Sequence, residues 1–324
     1  MTYSLLHDHL DGGLRPSTII ELVKINDIKL PVEKEEPLRD WFYENINTNL
    51  NQVFHKFDLT ISVMQSKSAI QRVAYEAVED LRKDNVEYAE LRYAPLQHLR
   101  EGLLPSEVVE SVYRGITQGI KDHGGNFKSI LCAMRQDSNS YEVAQLALES
   151  KNYGVVGFDL AGPENLYPPS LHKKACDLIS NSDLGLTIHA GEASEFSYIE
   201  EAVFLCNAQR IGHGWQIIEG CQLVDNLYIP MKDCAKKILD EQISLEICLT
   251  SNVKSGASYI QWDSHPGVRL LNSGFNVSFN TDNRLMANTT ISNEFALAKD
   301  KLGLDSTLEK KAISNSVKSK FNYI

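Results

Sequence analysis

The sequence is short of several things, and each shortage closes a class of function. No two of its six cysteines form a C-x-x-C pair, so neither a thiolate zinc site nor a disulfide framework is expected, and the thiols read as reduced. Long apolar runs are missing as well: no stretch approaches the ~18 consecutive apolar residues of a membrane span. His7, Asp8 and His9 stand where an export leader would need an apolar core, so no membrane role is expected and the location is expected to be cytoplasmic. Positive charge is scarce, with 32 Lys+Arg against 43 Asp+Glu and a net charge of −11. Such a surface repels phosphate backbones and anionic lipid, which argues against nucleic acid as a partner. Repeats and low-complexity tracts are absent too. What remains, 324 residues with 43% hydrophobic and 23% charged, is the composition of a globular chain able to bury a sizeable core. Any metal would have to be held by imidazole and carboxylate.

Short β-rich apolar runs recur between helical segments. Strands are expected near Leu5–His9, Val86–Arg92, Ser129–Met134, Val155–Asp159, Leu186–His189, Arg210–His213, Ser244–Cys248 and Asn276–Asn280. Most are continuous apolar runs, as in parallel strands buried on both faces. Helices are expected at Ser106–Asp122, Ser138–Asn152, Ser170–Asn181, Glu195–Cys206 and Met231–Glu241, several opening with Ser as N-cap, and a last amphipathic one from Asp305 to Lys320. Eight strands alternating with helices predict an α/β fold, a (β/α)8 barrel of the TIM type. The long stretch between the first two strands reads as a helical insertion at about 35–82 within a single domain over 1–324, since no Gly/Ser/Pro linker flanks it. Its charged run Glu33–Asp40 reads as a solvated turn.

The chemistry gathers at strand ends. His7 and His9 lie two apart on the first strand, so both imidazoles project to one side and could reach one cation. His189 and Glu192 follow the fifth strand, His213 the sixth, and Asp282 the last. Barrel enzymes place reacting groups at the carboxyl ends of strands, and closure aims all four ends at one cavity. Three neutral imidazoles and a carboxylate, His7, His9, His189 and Asp282, form a borderline-soft set suited to one Zn2+. Glu192 and His213 are then left to move protons, with Glu192 facing the cavity without touching the metal.

The segments HDHLDGG, DLAGPE, TIHAGE, RIGHG, TSN and NTDN, in this order from Leu6 to about Asn293, resemble the adenosine deaminase family of the amidohydrolase superfamily. The resemblance implies a zinc-dependent hydrolysis of adenosine or 2′-deoxyadenosine to the inosine nucleoside and ammonia, with a small-molecule purine nucleoside as partner. It implies that Glu192 protonates purine N1, and that His213 orients or deprotonates the attacking water. It further implies that Asp11 binds a ribose hydroxyl and that the Gly162 N–H reaches purine N3. His9 would border the substrate as well as the metal. On their own residues, Asp11 also reads as a helix N-cap and Gly162 as a turn glycine.

Where the family commonly has a second aspartate, this sequence has Asn283, which is compatible with purine recognition because an amide can donate to a purine N7 without needing to be protonated. Leu50, Val53, Phe54 and Phe57 form a stripe at i, i+3, i+4, i+7 that reads as core or, by the resemblance, as an apolar lid. Trp215 reads either as pocket wall or as packing. Arg92 reads as a brace for the insertion, and Ser251-Asn252 as shaping the loop after the seventh strand. Related aminohydrolases acting on adenine, aminofutalosine or an N6-substituted AMP are the alternative within this chemistry. The P-C-x-x-C half of the cytidine-deaminase signature is absent.

Overall fold

The computed structural model describes residues 1–26, 28–43, 50–254 and 260–321, of which 26 and 50–55 are described in backbone only. Its strands are β1 (Tyr3–His9), β2 (Val86–Tyr93), β3 (Asn126–Met134), β4 (Val155–Ala161), β5 (Gly185–Ala190), β6 (Arg210–His213), β7 (Cys221–Val224), β8 (Leu227–Pro230), β9 (Ser244–Ile247) and β10 (Val277–Phe279). Eight of them form one parallel sheet in the order β1-β2-β3-β4-β5-β6-β9-β10. A parallel bridge between Asp8 and Asp282 brings its two edges together. The predicted (β/α)8 barrel is the fold observed. Among the described residues no helix is long and apolar enough to cross a membrane.

The seam between β1 and β10 is too short for a full ladder, and polar side chains complete it. Asn280 Oδ1 accepts the N–H groups of Leu6 and His7 at 2.9 and 3.1 Å. Asp8 accepts Thr281 Oγ1 at 2.7 Å and Arg284 Nε at 2.9 Å. His9 N donates to Asp282 O at 2.7 Å, and Asp282 N to His7 O at 3.0 Å. Closure thus takes place at the residues expected to bind metal.

Among the described residues, four α-helices lie between β1 and β2: α1 (Pro16–Asn26), α2 (Glu35–Tyr43), α3 (Leu50–Val63) and α4 (Lys67–Lys83). The Glu33–Asp40 run is not a solvated turn. From Glu35 it is helical, because Leu38 and Phe42, one turn apart, bury one face of α2. The next helix, α5 (Pro105–His123), lies so close to α4 that a Cβ at Gly115 or Gly119 would meet Gln71 and Ala74 or Val78. Of the stretch expected as an insertion, α4 therefore sits in the outer ring of helices, while α3 reaches the carboxyl-terminal mouth.

Serine caps are rarer than expected. Ser66 caps α4, but Thr290 and Asp305 cap the last two helices. α5 starts with Pro105, and the Glu107 carboxylate accepts the Leu104 N–H at 2.9 Å. The hairpin β7–β8 was not expected. Its turn residues Asp225 and Asn226 both have positive φ, which matches the right-handed twist of the strands they join.

The barrel interior is not uniformly apolar. Glu90, Arg92, Asp159 and Glu246 are fully buried, and Arg210 nearly so. Arg210 bridges Glu90 (2.6 Å) and Glu246 (2.7 Å), and Arg92 bridges Asp159 (2.9 Å) and Glu246 (2.8 Å). Arg92–Asp159, Arg92–Glu246 and Arg210–Glu90 join strands that are not sheet neighbours, so they cross the lumen, whereas Arg210–Glu246 joins the neighbouring strands β6 and β9. Phe321 closes the floor, its ring against Gly157 and Gly185, where any side chain would collide.

Glu294 is buried on the helix Ile291–Leu302, where it accepts Thr250 N at 3.1 Å and Thr289 Oγ1 at 2.7 Å. Burial pushes its carboxyl up to about 7. The folded state then holds a proton that the unfolded chain releases near pH 4.3. That stabilisation is complete below about pH 4.3 and lost as pH rises to about 7. Urea unfolding at pH 5 and 7.5 should show wild type losing up to about 3 kcal/mol more than Glu294→Gln; parallel losses in the two proteins would refute it.

Candidate active site

At the end of β1 the strand period turns His7 and His9 to the same side. His7 Nε2 lies 3.3 Å, and His9 Nε2 3.4 Å, from Asp282 Oδ1. His9 Nε2 lies 3.3 Å from His189 Nε2. The donor atoms of His7, His9, His189 and Asp282 all fall within 4.8 Å of one another. His7 Nε2 is buried without a hydrogen-bond partner, and two imidazole nitrogens facing each other are poorly satisfied unless a cation lies between their lone pairs. Edges of 3.3–3.4 Å are those of a tetrahedron with arms of about 2.0–2.1 Å, so the four side chains fit a zinc-like ion.

A second layer fixes the ring tautomers. His7 Nδ1 meets Glu246 Oε2 at 2.9 Å, and His189 Nδ1 meets Asp159 Oδ1 at 3.1 Å. Each carboxylate accepts a hydrogen bond from Nδ1–H and so leaves the Nε2 lone pair facing the cluster. Both carboxylates stay ionised against the cost of burial. Arg92 and Arg210 hold Glu246 low, and His189 and Arg92 hold Asp159 low. Arg92 braces the carboxylates behind the histidines rather than the insertion, and it also donates to Leu6 O at 2.6 Å. Ser251 Oγ donates to Asp282 Oδ2 at 2.5 Å. Asp282 and His213 both have left-handed backbone, with φ of 57° and 60°, a strain of order 1–3 kcal/mol each that is characteristic of functional sites.

Above the cluster is a cavity of about 270 Å3 whose lining includes His9, Asp11, Gly162, Glu192, His213 and Asn283. Glu192 Oε2 lies 3.6 Å from His213 Nε2, and both groups lie within 4.8 Å of Asp282. Burial, then the charges of Asp282 and Glu164, push the Glu192 carboxyl well above the usual range. Burial drives His213 well below the usual imidazole range. Asn252 Nδ2 meets His213 Nδ1 at 3.0 Å, so the Ser251-Asn252 pair touches both Asp282 and His213 and does more than shape a loop. Asp11 sits inside the 3-10 turn Leu10–Gly12, for which His9 is the N-cap. The helix-cap reading of Asp11 therefore fails, and its Oδ1 is buried without a partner.

Gly162 has φ +96°, a backbone conformation that favours glycine, and it lines the cavity. At Gly12 a Cβ would strike Asn283 Oδ1; the first glycine of HDHLDGG makes room for the residue that replaces the second aspartate. Phe57 and Ile61 of α3 line the mouth, whereas the side chains of Leu50, Val53 and Phe54 lie outside the described residues. Trp215 is not among the lining residues. Its Nε1 donates to Glu192 O at 3.2 Å. Sequence reasoning missed Glu246, Asp159 and Glu164. The first is a mid-strand residue without a motif, but DLAGPE contained the other two.

A parallel barrel with these donors at its strand ends has the architecture of the amidohydrolase superfamily. The adenosine deaminase family model matches residues 3–323. An adenosine deaminase of Streptomyces coelicolor is 42% identical over 298 residues, covering 90% of this chain and 75% of that protein. One of Mycobacterium marinum is 38% identical over 325 residues, covering 98% and 90%. Among solved structures, the adenine deaminase of Arthrobacter aurescens superposes with a TM-score of 0.87 at 25% identity, covering 99% and 94% of the two chains. The N6-mAMP deaminase of Arabidopsis gives 0.83 at 26%, covering 100% and 94%. The chain belongs to the adenosine deaminase family, and it is a hydrolytic deaminase acting on adenosine-like substrates.

Asp159→Asn keeps the shape behind His189 but loses the charge that orients it. Competition against a chelator should show metal affinity lowered about 10–100-fold, and unchanged affinity would remove Asp159 from this role.

Proposed function

We propose that this chain hydrolyses adenosine and 2′-deoxyadenosine to inosine and 2′-deoxyinosine, releasing ammonia, with one zinc ion on His7, His9, His189 and Asp282. The observation that carries this reading is that one residue, Asp282, belongs both to the donor cluster and to the group it forms with Glu192 and His213. Ion and proton carriers therefore face the same point. A zinc ion held there would lower the pKa of a water from 15.7 to about 7 and so would supply a nucleophile at neutral pH.

The protein's own residues supply the rest. Buried Glu192, neutral at working pH, donates its proton to purine N1 and drains electron density from C6. Neutral His213 orients the attacking water and steadies the charge that develops on its oxygen. Once the oxygen has added to C6, that carbon is tetrahedral. Water's first proton goes to His213 and its second passes by way of the Glu192 carboxylate to N6; the C6–N6 bond breaks, ammonia leaves, and the proton on His213 returns to Glu192, whose Oε2 lies 3.6 Å from His213 Nε2. The Gly162 N–H and the Asn283 amide address purine N3 and N7. Asp11, with its unpartnered Oδ1, accepts a ribose hydroxyl. Phe57 and Ile61 cover the nucleoside and exclude bulk water.

The lining supports a nucleoside over a 5′-monophosphate. It holds the carboxylates of Asp11, Asp58, Glu164, Glu192 and Asp282 and, among the described residues, no lysine or arginine. A phosphate dianion would find no lysine or arginine to pair with there. The adenine and N6-mAMP deaminases of like fold make adenine and N6-methyl-AMP the rivals to test.

Ammonia release from adenosine, 2′-deoxyadenosine, adenine, AMP and N6-methyl-AMP should be fastest with the two nucleosides. AMP or adenine outpacing them overturns the substrate assignment. Glu192→Gln should keep metal and inosine binding but lower kcat about 10²–10⁴-fold; near-normal turnover would take the acid role from Glu192. Chelation should abolish activity and zinc should restore it, and activity in fully metal-stripped protein would refute the zinc assignment.

A further inference from the structure

Glu164, third residue after β4, is 1% exposed and contacts neither the donor cluster nor His213. Its Oε2 accepts Ala193 N at 2.8 Å, Ser194 N at 2.7 Å, Ser194 Oγ at 2.6 Å and Glu192 N at 3.2 Å; Oε1 lies 3.3 Å from Glu192 N. Three successive backbone N–H groups thus converge on one buried carboxylate, an anion nest filled by the protein itself. From the opposite side, Trp215 Nε1 and Gln216 Nε2 donate to Glu192 O at 3.2 and 3.4 Å. The backbone of Glu192 is held at both its N–H and its carbonyl, leaving the side chain only its own torsions.

Resting on the role proposed for Glu192, we infer that Glu164 is a positioning residue for the proton transfer. It fixes the 192–194 backbone so that the Glu192 carboxyl meets purine N1, and it ties this loop to the one that carries Gly162. Charge-assisted acceptors hold N–H groups about twice as strongly as neutral ones. An amide at this position would keep one oxygen but turn an NH2 toward either Glu192 N or the Ser194 group. A displacement of about 1 Å in a reacting group lowers turnover about 10²-fold.

The test compares Glu164→Ala and Glu164→Gln with wild type as zinc-loaded protein. Expected are a kcat on adenosine lower by about 10²-fold for Ala and about 10-fold for Gln. KM for adenosine and the dissociation constant of inosine should stay within about threefold. The partial recovery by Gln and the separation of kcat from binding are what a merely structural carboxylate would not produce. Should Ala fail to fold, the Gln variant carries the same comparison. A kcat within about threefold of wild type in the Gln variant, or inosine binding lost in step with kcat, overturns the inference. Wild-type protein that releases no ammonia overturns the parent reading instead, and this inference with it.

Discussion

The site depends on closing the barrel between its first and last strands. The bridge from Asp8 to Asp282 brings the end of β1, with two imidazoles, against the residue that supplies the carboxylate. Regular pairing contributes little there, so Asn280, Thr281 and Arg284 take the place of the missing ladder. The two glycines after His9 belong to the same construction, because Asn283 and Arg284 fill the space their side chains would occupy. Seam and donor cluster are one structure, and the left-handed backbone at Asp282 is the strain held in it.

Beneath the cluster, charge rather than hydrocarbon fills the lumen. Two arginines and three carboxylates with no access to solvent would be expensive singly, and removing one partner of such a set typically costs about 3–5 kcal/mol. Their arrangement gives His7 and His189 each a carboxylate at Nδ1. Polar interior and ligand tautomer are therefore two aspects of one network: Arg92 touches neither imidazole, yet it holds both carboxylates that do.

Strand ends were the legible part of the sequence. Every barrel strand falls within a few residues of its apolar run, and His7, His9, His189, Glu192, His213 and Asp282 all stand at such ends, where the chain leaves the sheet. The lumen was harder to read. Glu90 and Arg92 in V-E-Y-A-E-L-R-Y are set by a period of two that a solvated face would equally produce, and only closure shows that they point inward. Glu246 lies within S-L-E-I, where nothing local marks it, because its partners are Arg92, His7 and Arg210. Glu164 stood within a quoted motif, but its four hydrogen-bond donors come from another loop. The helix at Glu35–Tyr43 was hidden by its charge, although Leu38 and Phe42 carried the burial signal, and the Asp225-Asn226 pair was an overlooked hairpin turn.

Phe321 stands almost at the end of the described chain and fills the floor beneath Gly157 and Gly185, with the Arg210 guanidinium 3.5 Å from its ring centroid. Its N–H donates to Glu90 Oε1 at 2.7 Å. Phe321 follows every strand of the barrel in the chain, so during synthesis the strands are made before their stopper, and until it arrives a nascent barrel remains open to water from below. Until it docks, the ion pairs of the lumen stand in a high-dielectric medium where each is worth a fraction of its final strength. Rigidity in the carboxylates that aim the histidines therefore arrives late, conferred by one aromatic ring on the side of the molecule opposite the chemistry.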